Sequence, residues 1–176
     1  MRIRLTITAV VAVIMAVAGV TLASAHSKGS RGDDHGARVI KLFAVTVQHH
    51  FVDLPPEATP SNPAPSLGDE DVFSDDVFDK KGGTKLGTDG GVCTIVRVEP
   101  TSAVAQCAAT LSLGGGQIAV QGLVTFPLAE ETPPKFDLPI TGGTGDFEGA
   151  SGHITVEELN DTDANITVFL SQEDDD

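Results

Sequence analysis

A glycine-rich segment at residues 138–152 constrains the fold of this chain more than any other part of the sequence. It reads Leu-Pro-Ile-Thr-Gly-Gly-Thr-Gly-Asp-Phe-Glu-Gly-Ala-Ser-Gly, with glycines at Gly142, Gly143, Gly145, Gly149 and Gly152. Glycine adopts positive φ and permits close backbone approach, so within a strand pattern it marks a bulge or a sharp corner. An apolar run enters the segment and an alternating run leaves it. The segment therefore predicts two strands joined by a tight glycine corner, which Phe147 plugs.

The other apolar patterns predict about eight strands, and no convincing helical period follows residue 25. Regular spacing of short strands favours a β-sandwich or a β-barrel. A glycine-rich turn is predicted at residues 80–91, and five prolines predict a long loop at residues 54–71. The predicted strands cover residues 39–51, 71–79, 92–98, 104–113, 117–126, 135–140, 152–159 and 165–170.

Four sequence blocks resemble, in the same order, those of the allene oxide cyclase and dirigent superfamily. They lie at residues 77–81, 90–95, 117–122 and 140–152. The resemblance spans residues 72–170 and implies an all-β fold, an eight-stranded antiparallel β-barrel, which we assign to residues 39–171. It also implies that the proline-rich loop forms a lid or rim at the barrel mouth. An eight-stranded barrel is either filled by side chains or holds one small ligand.

The N-terminus has the features of a cleaved secretory signal peptide at residues 1–25. Arg2 and Arg4 form its positive region, an apolar region follows, and a small-residue cleavage motif ends at Ala25. This pattern predicts a secreted, extracellular protein. No segment after the cleavage site is long and apolar enough to predict a membrane span.

The chain is strongly acidic, with 25 acidic against 11 basic residues and a formal net charge of −14. Removal of the signal peptide takes away two arginines and no acidic residue, which leaves 9 basic residues and a net charge of −16. This charge argues against binding to nucleic acid or to anionic membranes. A polar, glycine-rich linker is predicted at residues 26–38 and an acidic tail at residues 172–176.

The two cysteines, Cys93 and Cys107, both lie in predicted strands, seven residues on either side of Pro100. A tight turn through residues 99–101 would place them opposite each other, so a structural disulfide is the favoured prediction for an exported protein. The alternative is a reactive Cys93 facing a cavity. The block around Cys93 resembles one in plant allene oxide cyclases, in which a cysteine lines the pocket.

No metal cluster, catalytic triad, phosphate loop or cofactor fingerprint is visible in the sequence. The family resemblance implies that no cofactor is needed. The first strand of the plant cyclases carries a glutamate, whereas residues 39–51 of this chain contain no acidic residue. The catalytic candidates are therefore Gln48 on the first strand and the adjacent Asp75 and Asp76 on the second. On a regular strand the two aspartates face opposite sides, so one of them enters the interior.

Three functions remain open from the sequence. The first is an isomerase that binds a small hydrophobic ligand and guides its cyclisation or stereoselective coupling by confinement. The second is a non-catalytic carrier of small molecules. The third is a structural or interaction protein of the cell envelope, with a barrel that side chains fill. The family resemblance also implies a homotrimer, which the charge of the mature chain opposes.

Overall fold

The structure, a computed structural model, describes residues 38–57, 59, 65–129 and 135–171. All regular elements in this part of the chain are strands, as their alternating apolar patterns predict. The eight strands are β1 (Arg38–Val52), β2 (Glu70–Phe78), β3 (Lys85–Val98), β4 (Ser102–Leu113), β5 (Gly116–Pro127), β6 (Lys135–Gly145), β7 (Gly152–Glu158) and β8 (Asp163–Leu170).

Each strand pairs antiparallel with the next, and β8 pairs with β1 to close a barrel. The closing ladder runs from Arg38 opposite Leu170 to Val45 opposite Asp163. Each of the eight described strands therefore has a neighbour on both sides, which removes the edge strands that promote aggregation. The predicted eight-stranded antiparallel barrel is therefore confirmed.

One end of the barrel is filled by its core. The core contains buried residues from seven strands and from the β6–β7 turn, with Phe147 only 6% exposed. Arg38 covers this plug, with its Cζ 5.8 Å from the centroid of the Phe147 ring. The prediction that Phe147 plugs the corner is therefore confirmed. The other side chains of this core include Leu42, Val77, Leu111, Ile118, Ile140 and Val168.

The glycine corner is shorter than the sequence pattern predicts, because β6 continues to Gly145 before the chain turns. Gly145 has a φ of +63°, and a Cβ at this position would lie 2.3 Å from the carbonyl oxygen of Gly115. A Cβ at Gly143 would lie 2.1 Å from the carbonyl oxygen of Phe147. Both positions therefore require glycine, one for its φ and both for close backbone approach.

The glycine-rich turn predicted at residues 80–91 is wrong in its second half, because β3 begins at Lys85. Gly87 and Gly91 lie within the paired strand. A Cβ at Gly87 would lie 1.9 Å from the carbonyl oxygen of Ser112, and one at Gly91 would lie 2.7 Å from the Cβ of Ala109. These glycines permit close packing of β3 on β4 and do not mark a turn.

Asp69 anchors the loop between β1 and β2, a role that the sequence did not reveal. Its side chain is fully buried, and its carboxylate accepts backbone hydrogen bonds from Leu54 at 2.8 Å and Ser66 at 2.7 Å. Its carbonyl accepts a further bond from the Ile95 N–H. The two ends of the proline-rich loop are thereby held against the barrel.

The predicted signal peptide with its cleavage site at Ala25, the linker apart from Arg38, and the acidic tail at residues 172–176 lie outside the described residues. Within the described ranges, no helix has the length and apolar character needed to cross a membrane.

Candidate functional site

A cavity of about 750 Å³ occupies the barrel and reaches the end that carries the β1–β2, β5–β6 and β7–β8 loops. Pro65, Leu128 and Thr162 from these loops line its mouth. The mouth is opposite the end that Phe147 and the core fill. Because side chains do not fill this half of the barrel, there is space for one small molecule.

Small side chains on β4 create much of this space. Ala103, Ala105, Cys107 and Ala109 follow one another on its inner face, and all four line the cavity. The sequence pattern suggests Ala105, Ala108, Ala109 and Ala119 as small inward-facing residues, and this prediction is wrong for Ala108 and Ala119. Ala108 is exposed and neither residue lines the cavity, because neighbouring residues on a strand face opposite sides.

Phenylalanines form the aromatic part of the wall nearer the mouth. The rings of Phe126 and Phe136 meet edge to face, with centroids 6.0 Å apart. Phe73 packs beside Gly91, where a Cβ would lie 2.9 Å from the Phe73 Cζ. Phe51 also lines the cavity. The wall can therefore offer ring faces and edges to a bound molecule.

Cys93 and Cys107 form a disulfide between β3 and β4, with an S–S distance of 2.06 Å. They are directly opposite each other in the β3–β4 ladder, as the spacing about Pro100 predicts. Both residues line the cavity. Neither is a free thiol, so the structure supports the disulfide and not the alternative of a reactive Cys93.

Two aspartates form a carboxyl pair at the inner end of the cavity. Asp75 on β2 lies opposite Asp89 on β3, and their exposed fractions are 9% and 7%. The next inward residue on β2, Val77, is completely buried in the core that closes the barrel. The Oδ1 atom of each carboxyl group is buried and has no hydrogen-bond partner in the described part of the chain.

The pKa of Asp89 is raised to about 8, mainly by burial and further by the charge of Asp75 and a side-chain hydrogen bond with Asp75. A hydrogen bond with the backbone of Asp75 opposes this rise. Two buried carboxyl groups this close cannot both ionise cheaply, so they share one proton near neutral pH. The pair can therefore donate a proton or a hydrogen bond into an apolar cavity.

More acidic groups line the cavity toward its mouth. His49 Nε2 contacts the Asp71 carboxylate, and Lys81 forms a 3.0 Å ion pair with Asp163. Burial, followed by the charges of Asp71 and Asp161, raises the pKa of Glu158. A hydrogen bond from Lys81 is the main cause that lowers the pKa of Asp163.

The structure separates the three catalytic candidates of the sequence. Asp75 faces the cavity, whereas Asp76 points outward and forms a 2.6 Å ion pair with Lys85. Gln48 is exposed and does not line the cavity. The β1–β2 register shifts between Thr46 and Gln48, so a bulge reverses the inward face of β1 beyond that point.

Asp89 is the site residue that sequence reasoning missed, because its segment was assigned to a glycine-rich turn. A signal was present, since residues 85–98 continue without proline into the predicted third strand. Among the described residues, no group of three or more His, Cys, Asp or Glu side chains is arranged to hold a metal ion. Asp75 and Asp89 alone supply too few oxygen ligands for calcium.

Comparisons with known proteins agree with this geometry. The family model described as the allene oxide cyclase barrel-like domain matches residues 46–170. No curated protein sequence gives a significant match.

Among solved structures, a pyocyanin demethylase is 27% identical, with a TM-score of 0.65 over 76% of this chain and 100% of that chain. AbnU, an exo-specific intermolecular Diels-Alderase, is 15% identical, with a TM-score of 0.62 over 78% and 99% of the two chains. The pterocarpan synthase dirigent protein PsPTS1 is 16% identical, with a TM-score of 0.57 over 78% and 97%. At these low identities, the similarities to AbnU and PsPTS1 show only that the fold is shared.

Proposed function

Because the chain belongs to the allene oxide cyclase barrel-like family, we propose that it is an exported barrel that binds one small, mainly apolar molecule and guides its cyclisation or stereoselective coupling without a cofactor. The observation that carries this proposal is the cavity of about 750 Å³, with apolar walls and a buried carboxyl pair at its inner end. The Diels-Alderase and dirigent protein of the same fold support a cyclisation or coupling role.

Confinement is the main chemical contribution that such a cavity makes. A flexible substrate held in one reactive conformation avoids the entropic cost of orienting itself during the reaction. The apolar wall also excludes water from reactive intermediates. Asp89 with a pKa of about 8 is largely protonated at neutral pH before a ligand binds, so the pair can exchange a proton with the bound molecule. Asp75 holds that proton in position from the neighbouring strand.

A second candidate is demethylation of a small molecule. It is favoured by the pyocyanin demethylase, which is 27% identical and is matched over its whole length. Pyocyanin therefore belongs in the first panel of compounds. Mass spectrometry can monitor pyocyanin that is incubated with the protein. Loss of a methyl group from pyocyanin would favour demethylation over cyclisation.

Native mass spectrometry of the mature protein, purified from its secretion host, tests the proposal. We expect a co-purifying small molecule, which is then extracted, identified and returned to fresh protein with its chemical precursors. Formation of a cyclised or coupled product with one stereochemistry would support catalysis. Recovery of the molecule unchanged from every precursor mixture would indicate a carrier instead.

Two variants give this experiment its controls. Ala105→Phe places a ring in the cavity and should remove the bound molecule, whereas Ala108→Phe adds the same ring to the exposed face of β4 and should retain it. Asp75→Asn should slow turnover while the molecule stays bound. Retention of the molecule by Ala105→Phe would contradict the assignment of the cavity as the binding site.

A further inference from the structure

We propose that the cavity selects an organic cation, an apolar and aromatic-compatible molecule whose positive charge lies against Asp75 and Asp89. This inference rests on the proposed function, because it requires the cavity to bind a small molecule. It adds the charge of the ligand and the place where that charge lies.

The cavity wall is strongly acidic. Six carboxyl groups line the cavity, and the described lining contains no lysine or arginine. Two of the six already have partners, since His49 contacts Asp71 and Lys81 pairs with Asp163. The remaining acidic side chains are Asp75, Asp89, Glu158 and Asp161.

Two carboxyl oxygens without a hydrogen-bond partner in the described chain lie at the inner end of the cavity. Asp75 and Asp89 are both more than nine-tenths buried, and their Oδ1 atoms have no donor in the described chain. Buried polar groups are rarely left without a partner, because this costs about 1–3 kcal/mol per group. A cationic ligand that reaches the inner end would supply the missing donor or the missing charge.

Phenylalanine rings line the cavity between its mouth and the carboxyl pair. Phe73 lies on the same strand as Asp75, two residues nearer the mouth, and Phe126 and Phe136 face the same cavity. Phenylalanine ring faces attract cations and also pack against planar apolar molecules. A ligand with an aromatic body and a positive charge could pack against the phenylalanine rings and also pair with the carboxyl groups.

Binding of a cation at Asp75 and Asp89 should release the proton that these two carboxyl groups hold. When a cation binds, the proton that Asp75 and Asp89 share leaves to solvent, and the resulting carboxylate pairs with the ligand. The other titratable groups that line the cavity are His49 from β1, Asp71 from β2, Glu158 from β7, Asp161 from the β7–β8 loop and Asp163 from the start of β8. Cation affinity should therefore rise with pH as the pair ionises, and the raised pKa of Asp89 agrees with this direction.

Acridine and N-methylacridinium test the proposal, because they share one tricyclic shape and differ in permanent charge. Their fluorescence is titrated with the mature protein at about pH 8, where acridine is neutral. We expect the native protein to bind N-methylacridinium at least about tenfold more tightly than acridine. Asp75→Asn/Asp89→Asn should remove this preference and change acridine affinity by less than about threefold.

Asp137→Asn is the matched control, because Asp137 is exposed on β6 and hydrogen-bonds Thr155 outside the cavity. It should leave the preference for the cation intact. Unchanged acridine binding by the double variant also shows that this variant is folded. Between about pH 7 and 9, N-methylacridinium affinity should rise for the native protein and stay nearly level for Asp89→Asn.

The outcomes separate this inference from the proposed function. Equal binding of both dyes that Ala105→Phe abolishes would overturn charge selection and leave the binding cavity intact. No binding of either dye would count against both. A cation preference that survives Asp75→Asn/Asp89→Asn would overturn the placement of the charge. Displacement of N-methylacridinium by micromolar Ca²⁺ would assign the carboxyl pair to a metal and would also overturn the proposal.

Discussion

At the scale of single residues, the described barrel buries two carboxyl groups, Asp75 and Asp89, on neighbouring strands. Ionised carboxylates are rarely buried without a cation, because transfer from water to an apolar surrounding is unfavourable. Here both carboxyl groups lie inside the barrel on neighbouring strands. A shared proton reduces the repulsion between them. Groups with a displaced pKa, as Asp89 has, concentrate at functional sites, which fits the position of Asp89 in the cavity wall.

The pair should make stability depend on pH. Asp89 has a pKa of about 8 in the folded protein against 3.8 as its ordinary value, so between these values the folded state binds more protons than the unfolded state. Stability therefore falls as pH rises from about 4 to about 8. Asp89→Asn should remove this decrease and stabilise the protein at about pH 8 by roughly 1–3 kcal/mol.

Urea unfolding of Asp89→Asn, the native protein and Asp137→Asn across this pH range measures the effect. Asp137→Asn removes an exposed carboxylate and should follow the native profile. The explanation fails if Asp89→Asn and the native protein lose stability in parallel as the pH rises.

At the scale of elements, the β3–β4 wall combines two features that adapt it to a cavity. Alanines on the inner face of β4 leave space, and glycines in β3 let the two strands and Phe73 approach closely. A wall with few large side chains gains little from packing. The disulfide between Cys93 and Cys107 compensates by linking the strands covalently.

Loss of this disulfide should destabilise the protein substantially. The bond closes a loop with a sequence separation of 14, so its removal through Cys93→Ala/Cys107→Ala should lower the free energy of unfolding by about 3 kcal/mol. Chemical denaturation with and without a reductant gives the same comparison for the native chain. The double variant serves as the control, since its midpoint should not respond to the reductant. An unchanged midpoint for the reduced native protein would contradict the prediction.

Of the five glycines in the corner between β6 and β7, Gly145 is the one whose replacement we expect to destabilise the fold most clearly. Gly145→Ala combines a positive φ with a clash against the Gly115 carbonyl, so it should lower the free energy of unfolding by about 1–3 kcal/mol. Gly114→Ala is the matched control, because no atom lies within 4 Å of a Cβ there. Thermal unfolding compares the two, and equal losses would show that the corner does not require this glycine.

At the scale of the whole molecule, the two ends of the barrel have different roles. The core fills one end and stabilises the fold, whereas the other end is hollow and can bind a small molecule. The core at the closed end carries the large buried side chains, including Phe147 and Ile118. The hollow end carries small residues, phenylalanines and carboxyl groups. Asp69 holds the ends of the proline-rich loop beside the mouth. Substitutions in the hollow end should therefore change binding more than folding.

Filling the hollow end tests this division. Ala105→Phe should abolish acridine binding and change the free energy of unfolding by less than about 1.5 kcal/mol, because the cavity can accept the ring. Ala108→Phe, with its ring on the outer face, should bind acridine like the native protein. Fluorescence titration and urea unfolding of both variants provide the measurements. Unfolding of Ala105→Phe would indicate that the cavity is tighter than its volume implies.

The sequence by itself determined the number and order of the strands, the closing corner with Phe147 as its plug, and the pairing of Cys93 with Cys107. These features follow from local patterns: alternation, glycine spacing, and the equal distances of the two cysteines from Pro100. The four family blocks added the closed barrel. Such patterns depend on neighbours along the chain, so no tertiary information is needed to detect them.

Only the tertiary structure decided which side chains reach the cavity. The bulge at Val47 turns Gln48 outward, and a single residue of register decides that Asp75 faces the cavity and Asp76 faces Lys85. Asp89 joins the site because β3 extends back to Lys85 and places it opposite Asp75. Side chains alternate with a period of two, so one shifted residue reverses an entire face, and strand pairing alone determines where that shift occurs.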